Sequence, residues 1–301
     1  MQTAQSTAQF RAVPRPDGAL GVEIFGLDVE ALDPACAAEL RHLVYAHKLV
    51  VLRDLELSDP AYIAFARKLG RPQIYFQPNY HHPDHPEIFV SANVPIDGRK
   101  VGVAGTGRYW HTDYQFFTDP LPLVMVSPRI IPAGGRGTCF IDMQQVLRDL
   151  PGDLRPLAEG TRARHEAKWR YKVQECDIDK SIAEILEEFG AQTPPVTHPT
   201  VITHPAHGKR ALYVSRGFTV GIEGLGYEEG KAALEALFDF TEAPEHVHKE
   251  PWMPGTTLLW DNRQLIHMAS GTLHGAPSVS YRIGVYDDLP FYTEEPSGRL
   301  A

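Results

Sequence analysis

Proline and glycine set the limits on this fold: 25 of each are scattered through 301 residues, and they cut the apolar sequence into short runs. Short runs bounded by turn formers read as many strands joined by turns rather than as long helices. The strand candidates are Leu49–Leu52, Glu87–Val90, Leu123–Val126, Thr138–Ile141, Ala211–Val214, Thr256–Trp260 and Tyr281–Tyr286. Four segments carry helical spacing or helix-start chemistry: Ala35–Ala46, Ala61–Leu69 behind Ser58-Asp59-Pro60, Ile178–Phe189, and Tyr227–Thr241. The expected class is β-rich α+β, a barrel or sandwich decorated by helices. The stretch from Tyr75 to Arg108 is too long for a simple connection and reads as a lid or binding loop.

Hydrophobic residues make up 43% of the chain, enough for a large core, and no repeat or composition shift marks a linker. The expectation is one domain over residues 1–301. A formal net charge of -9, with no basic tract, argues against a nucleic-acid partner. No run approaches the roughly 18 apolar residues of a membrane helix. The N-terminal MQTAQSTAQFRAVPRP lacks the pattern of a secretion signal. Cys36, Cys139 and Cys176 are widely spaced and odd in number, as expected of incidental thiols in a reducing cytoplasm. Nothing here decides whether the chain forms a homo-oligomer.

The chemistry concentrates in Arg108-Tyr109-Trp110-His111-Thr112-Asp113-Tyr114. On an extended strand, residues two apart share a face, so His111 and Asp113 can grip one ion. A second histidine from a distant segment would complete a set of two imidazoles and one carboxylate. Such a set leaves three octahedral positions open, which suits non-haem iron(II) oxygen chemistry. His-x-Asp alone is weak in a chain with 14 histidines. The segment Leu258-Leu259-Trp260-Asp261-Asn262-Arg263-Gln264-Leu265-Ile266-His267 offers the second histidine. Fifteen residues further on, Arg282 sits on an alternating strand, on a face of otherwise small residues. It is either a salt-bridge partner or a bidentate anchor for an anion.

Taken together, WHTD, GGRGTCF and LLWDNRQLIH with a downstream arginine resemble the taurine dioxygenase (TauD/TfdA) family, in the family's order. The segment from Gly21 to Gly70 and HPTVITHPAHGKRALYVSRGFT are similar to it as well. The resemblance implies a double-stranded β-helix (jelly-roll) core with flanking helices. It implies that His111, Asp113 and His267 bind Fe(II). Thr138 and Arg282 would hold the distal carboxylate of 2-oxoglutarate, which is decarboxylated to succinate as O2 is used to oxidise a substrate. The charges balance sensibly, because iron(II) and one aspartate leave one positive charge, the dianionic cosubstrate reverses it, and Arg282 offsets the rest.

Within that family, Gln73–Tyr80, Lys168–Lys172 and VAGTGRYWHTDYQF look like the subgroup that converts an N-carboxymethyl 3-amino acid into an isonitrile. Tyr75, Tyr80 and Lys172 match the residues that hold the substrate carboxylates, while Phe76 stands where a second tyrosine is expected. The implied substrate is small, anionic and amino-acid-like. Two other classes stay open: a hydroxylase of another small carboxylate or sulfonate, and a non-catalytic barrel that only binds a metal or ligand. Lys168, Arg170 and Lys172 could equally be a solvated strand face.

Simpler roles suit the remaining conspicuous residues. Trp110 reads as a core aromatic, Asp261-Asn262-Arg263 as a turn capped by its own side chains, and Arg216 as structural. His198, His204 and His207 read as turn residues, and His274 as a loop residue. The cluster His81, His82 and His85 reads as solvated loop histidines or, less simply, as a second metal site.

Overall fold

The computed structural model describes residues 10–16, 18–271 and 275–293. His274 therefore lies outside the described residues.

An eight-stranded, mostly antiparallel sheet carries the architecture. Its order is Arg11–Pro14, Val22–Phe25, Leu49–Leu52, Thr257–Asp261, Leu123–Ile130, Val279–Tyr286 and Arg71–Gln73, with Phe89–Ala92 also paired to Val279–Tyr286. The central strands are apolar throughout because both faces are covered. In Leu49–Leu52, Val50 and Leu52 join a cluster with the helices Pro34–His47 and Asp59–Leu69, while Leu49 and Val51 enter a second cluster on the other face. Leu123 and Met125 alternate with Val124 and Val126 in the same way. A strand buried on both sides shows a continuous apolar run instead of polar–apolar alternation.

The inner cluster is shared with a three-stranded sheet of Val247–Pro251, Gly137–Asp142 and Leu265–Ser270. Phe140 and Leu265 of that sheet pack with Trp260 and Leu258 of the large one. The far face of the small sheet, with Cys139, Ile141 and Ile266, is covered by the helices Met143–Asp149 and Tyr227–Thr241. A further three-stranded sheet (Thr219–Ile222, Arg162–His165, Val196–Pro199) and a hairpin (Val201–Thr203, Arg210–Leu212) flank this core.

The expected β-rich α+β class holds, and the element positions mostly agree with their local chemistry. The first helix starts at Pro34 because the Asp33 side chain accepts from Cys36 N at 2.8 Å. Tyr227–Thr241 is found as expected. The helix expected at Ile178–Phe189 runs instead over Ile182–Gln192, behind a short 3-10 turn at Glu175–Asp177. Ser181 and Glu184 form a capping box that sets its start, and Ile178 is left 77% exposed. The strand expected at Glu87–Val90 lies at Phe89–Ala92, since residues 82–88 close a tight loop with His82 N bonded to Ile88 O at 2.9 Å. The strand expected at Ala211–Val214 ends early, at Leu212.

Leu40, fully buried between the first helix and the large sheet, should be a sensitive test of this packing. Leu40→Ala is expected to cost about 2–5 kcal/mol in urea unfolding, with metal binding of the folded protein unchanged.

Candidate active site

The centre is built from two backbone segments that bond each other reciprocally. His111 N donates to His267 O at 3.0 Å and His267 N donates to His111 O at 2.8 Å. This antiparallel bridge sets the two imidazoles side by side, with ring centroids 4.1 Å apart. His267 belongs to the strand Leu265–Ser270, but His111 makes only this isolated bridge. The expectation of a regular strand through His111 and Asp113 is thus corrected: His111 pairs only through this bridge, and Asp113 already lies in the turn that follows. The turn still brings Asp113 back to the imidazoles. Its Oδ1 is 3.7 Å from His111 Nε2 and its Oδ2 is 3.7 Å from His267 Nε2.

All three ligand atoms lie within 4.8 Å of one another, and all three residues are buried. Asp113 Oδ2 accepts no hydrogen bond among the described residues, as a carboxylate oxygen shaped for a cation would. His111 Nδ1 faces Tyr109 O at 2.8 Å, so that nitrogen donates and Nε2 presents its lone pair to the centre. Burial pulls both imidazoles below the usual histidine range, His267 furthest. Burial works against the Asp113 carboxylate, yet Arg282, His267 and His111 outweigh it and hold its pKa below the usual range. The resulting state, two neutral imidazoles and one carboxylate, is the one metal ligation requires.

Ser280 and Arg282 project into the pocket from Val279–Tyr286, whereas Tyr281, Ile283 and Val285 face the helices. The Arg282 guanidinium lies 4.1 Å from the Phe89 ring centroid and its Nη1 donates to Asp113 Oδ1. Of the two roles open to it, this geometry displays the ion pair. Thr138 is buried in the same pocket, two ladder pairs from His267, and its Oγ1 accepts from Trp252 Nε1 at 3.0 Å.

The expected substrate residues also line the pocket. Tyr75 packs edge-on against Tyr80 at 5.1 Å and Tyr114 at 5.7 Å. Burial pushes the Tyr80 hydroxyl up to about 12 and Tyr75 further, so both are neutral hydrogen-bond donors. Phe76 sits behind this wall among Phe117 and Phe189. The solvated strand-face reading of the Lys168–Lys172 segment is corrected: Lys168–Arg170 is a 3-10 turn and Arg170 donates to Gly217 O and Arg216 O. Lys172 Nζ donates to Ala104 O at 2.6 Å and Gly105 O at 2.7 Å, spanning to the loop before His111. The long Tyr75–Arg108 segment does form pocket wall, through Gln77, Ser91, Thr106 and Gly107 besides the residues named.

Arg136 was missed by the sequence reading. It is 7% exposed, lines the pocket, donates to Ser278 Oγ at 2.7 Å and stacks 4.7 Å from the Trp252 ring. No carboxylate among the described residues pairs with it. Burial, then nearby Arg108, draws both Arg136 and Lys172 below their usual ranges. Its position in GGRGT, two residues before Thr138, was the available clue, since positions two apart share a strand face.

Other expectations resolve individually. Trp110 is a core aromatic, and Arg216 is structural, bound to Glu242, Glu235 and Asp239. Asp261 Oδ1 accepts from Arg263 N at 2.8 Å, which shapes the turn into His267. The turn reading of His198 is corrected: it is buried in the strand Val196–Pro199 with Nε2 2.9 Å from Phe117 O. His204 is buried too, 2.7 Å from Asp261 Oδ2, while His207 stacks on it in the following turn.

A model of the taurine catabolism dioxygenase TauD/TfdA family matches residues 9–281. The chain belongs to this family. The TauD/TfdA chain is 30% identical over 260 residues to an α-ketoglutarate-dependent 2,4-dichlorophenoxyacetate dioxygenase of Cupriavidus pinatubonensis, covering 83% of this chain and 88% of that protein. It is 27% identical over 270 residues to pentalenolactone F synthase of Streptomyces arenae, covering 86% and 89%. The crystal structure of a taurine dioxygenase from Burkholderia xenovorans superposes with a TM-score of 0.75 at 25% identity, covering 97% and 93%. The TauD/TfdA protein is an enzyme, a dioxygenase that uses iron(II), 2-oxoglutarate and O2.

Gly217 supports His111 from below. Its N–H donates to Trp110 O at 2.9 Å, and a Cβ there would lie 2.8 Å from Trp110 O and 2.9 Å from His111 Cβ. Gly217→Ala should therefore shift His111 and weaken metal binding about 10–100-fold, the range for disturbing groups that orient metal ligands, as measured by equilibrium dialysis.

Proposed function

We propose that His111, Asp113 and His267 hold Fe(II), and that Arg282 and Thr138 receive the distal carboxylate of 2-oxoglutarate. The observation that carries the first part is the convergence of two neutral imidazoles and one carboxylate on a buried point with an unpartnered oxygen. Bound there, iron(II) with 2-oxoglutarate supplies the O2-dependent oxidant. The protein's own contribution is positional. With iron(II) bound, Asp113 would be a ligand, and Arg282, now paired with Asp113, would be the residue to hold the cosubstrate's distal carboxylate. Phe89 and Tyr114 hold its guanidinium by their ring faces. The sheets packed face to face around this point support a double-stranded β-helix core, with the whole chain, residues 1–301, as one oxygenase domain.

The substrate proposed is a small anionic amino acid derivative, an N-carboxymethyl 3-amino acid, oxidised to an isonitrile. Two half-buried or buried cations with no carboxylate partner among the described residues, Lys172 and Arg136, support an anionic ligand, because a buried charge without a counter-charge is costly. Tyr75 and Tyr80, held neutral, can donate to its carboxylates. The conversion removes four electrons and four hydrogens from the N-carboxymethyl amine and releases its carboxyl carbon as CO2. Each 2-oxoglutarate and O2 accepts two of those electrons from the substrate, so the balance is two succinates per isonitrile. The 30% identity to a dioxygenase of an aryloxy acid supports a second reading, hydroxylation of another small carboxylate with one succinate per product. In either case the place of work proposed is the cytoplasm, where free Cys36, Cys139 and Cys176 stay reduced.

Anaerobic addition of iron(II) and 2-oxoglutarate should give a weak visible charge-transfer band, abolished in His111→Ala, Asp113→Ala and His267→Ala. Full activity in any of the three removes that residue from the ligand set. Arg282→Ala should raise the 2-oxoglutarate requirement by the equivalent of about 2–5 kcal/mol, the cost of stranding one partner of a buried charge pair. Thr138→Ala should raise it less.

Substrate class is tested by mass spectrometry on N-carboxymethyl 3-amino acids, counting succinate against product. Two succinates with an isonitrile support the proposal, and one succinate with a hydroxylated product supports the second reading. Lys172→Ala and Arg136→Met should raise KM for dicarboxylated substrates far more than kcat changes. Unchanged KM in both variants would contradict the assignment of anion recognition to these cations.

A further inference from the structure

The loop histidines left over by the function divide in the structure. His81 Nε2 lies 2.6 Å from Tyr75 O, so it is spent on bracing the pocket wall. His82 and His85 instead stack on each other, ring centroids 5.3 Å apart and 23° from parallel. Asp59, remote in sequence, meets them: its Oδ2 is 3.4 Å from His82 Nε2. One ligand atom from each of Asp59, His82 and His85 lies within 4.8 Å of the others. We propose that these three residues form a second divalent-cation site, of the zinc or nickel class, on the outer side of the pocket wall.

The supports are rigid. Asp59 opens the helix Asp59–Leu69, whose Ser58 cap accepts from Ala61 N. The histidines sit on a loop closed by three backbone bonds, His82 N to Ile88 O, His85 N to His82 O and Ile88 N to His85 O. All three residues are half-buried. Arg129 bonds Asp59 Oδ1 at 3.3 Å and is itself held on Leu57 O and the Tyr281 ring. It leaves Oδ2 for the ion. Binding through Nε2 would move the His82 proton to Nδ1, at the expense of one long bond from Asp84 N (3.3 Å).

Arg129 also determines which ions fit. Its charge offsets that of Asp59, so little net attraction remains for magnesium or calcium, which depend on oxygen and charge. An ion that binds imidazole strongly is favoured, and along the divalent series that means nickel, copper and zinc. Occupancy would pin the 82–88 loop to the helix, and that loop lies between Tyr80 and Phe89, both of which line the pocket. The site shares no residue with His111, Asp113 and His267 and does not depend on their assignment.

Equilibrium dialysis of metal-stripped protein against micromolar zinc, with metal content read by atomic emission, tests the proposal. Wild type should bind two equivalents. Asp59→Asn, which keeps an oxygen for Arg129, and His85→Gln should each bind one and lose the zinc-dependent rise in melting temperature assigned to this site. His111→Ala should keep one equivalent, held by the second site. Metal content equal to that of wild type in both Asp59→Asn and His85→Gln overturns the proposal. A melt without zinc that matches wild type excludes misfolding as the cause, and two independent variants guard against either one failing to fold.

Discussion

Everything chemical in this molecule depends on the reciprocal backbone bond between His111 and His267. Neither imidazole is directed by a long ladder of its own segment on both sides. The bridge joins a turn-rich loop to a strand of the small sheet, and the paired N–H to C=O contacts fix both ring orientations at once. Gly217 allows the close approach beneath His111, Tyr109 O fixes its ring, and Trp260 packs edge-on against His267 at 4.7 Å. Burial then does the electrostatic work, keeping the rings neutral while the basic surroundings keep Asp113 charged.

That bridge stays in place because the sheets beneath it are packed on both faces. Fully burying a Val, Leu or Ile side chain contributes roughly 1.5–3 kcal/mol, and the central strands bury nearly every residue they have. A second constraint is ionic. Arg263, with no solvent exposure, makes a bidentate pair with Asp287 at 2.8 Å and sits 3.7 Å from Asp261, which in turn holds His204. Breaking such a buried pair by removing one partner typically costs about 3–5 kcal/mol. The Asp-Asn-Arg turn that delivers His267 is thereby anchored to the C-terminal part of the fold.

Much of this was legible in the chain. Strand positions followed from short apolar runs and Arg282 from alternation, because strand geometry is local, whereas Thr138 was named only through the family resemblance. His111 and Asp113 were recognised as a pair from their spacing of two, although His111 makes only an isolated bridge and Asp113 lies in the turn that follows. The misses share a physical cause, which is that their partners are remote. Arg136 and Trp252 become a pocket wall only when Gly137–Asp142 pairs with Val247–Pro251. Lys172 has the right place but bonds to Ala104 and Gly105, and nothing in its own segment discloses that. Asp59 meets the loop histidines only through the packing of a helix. Pocket aromatics such as Tyr109 and Phe218 look like ordinary core in a sequence, since the same residues serve both purposes.

The order of strands in the large sheet has a bearing on how the molecule comes into being. Leu49–Leu52 pairs with Thr257–Asp261, and the Tyr45 hydroxyl donates to Asp287 from 242 positions away. Loops of that length must close before their contacts repay the entropy, so such topologies fold slowly. On a ribosome, the N-terminal helices and the Leu49–Leu52 strand emerge long before their partners and wait with an apolar edge uncovered. The last of the described strands, Val279–Tyr286, brings Arg282 and seals the middle of the sheet. A chain truncated before Val279 would thus lack the arginine and the seal together, and the pocket is finished only once that strand has been made.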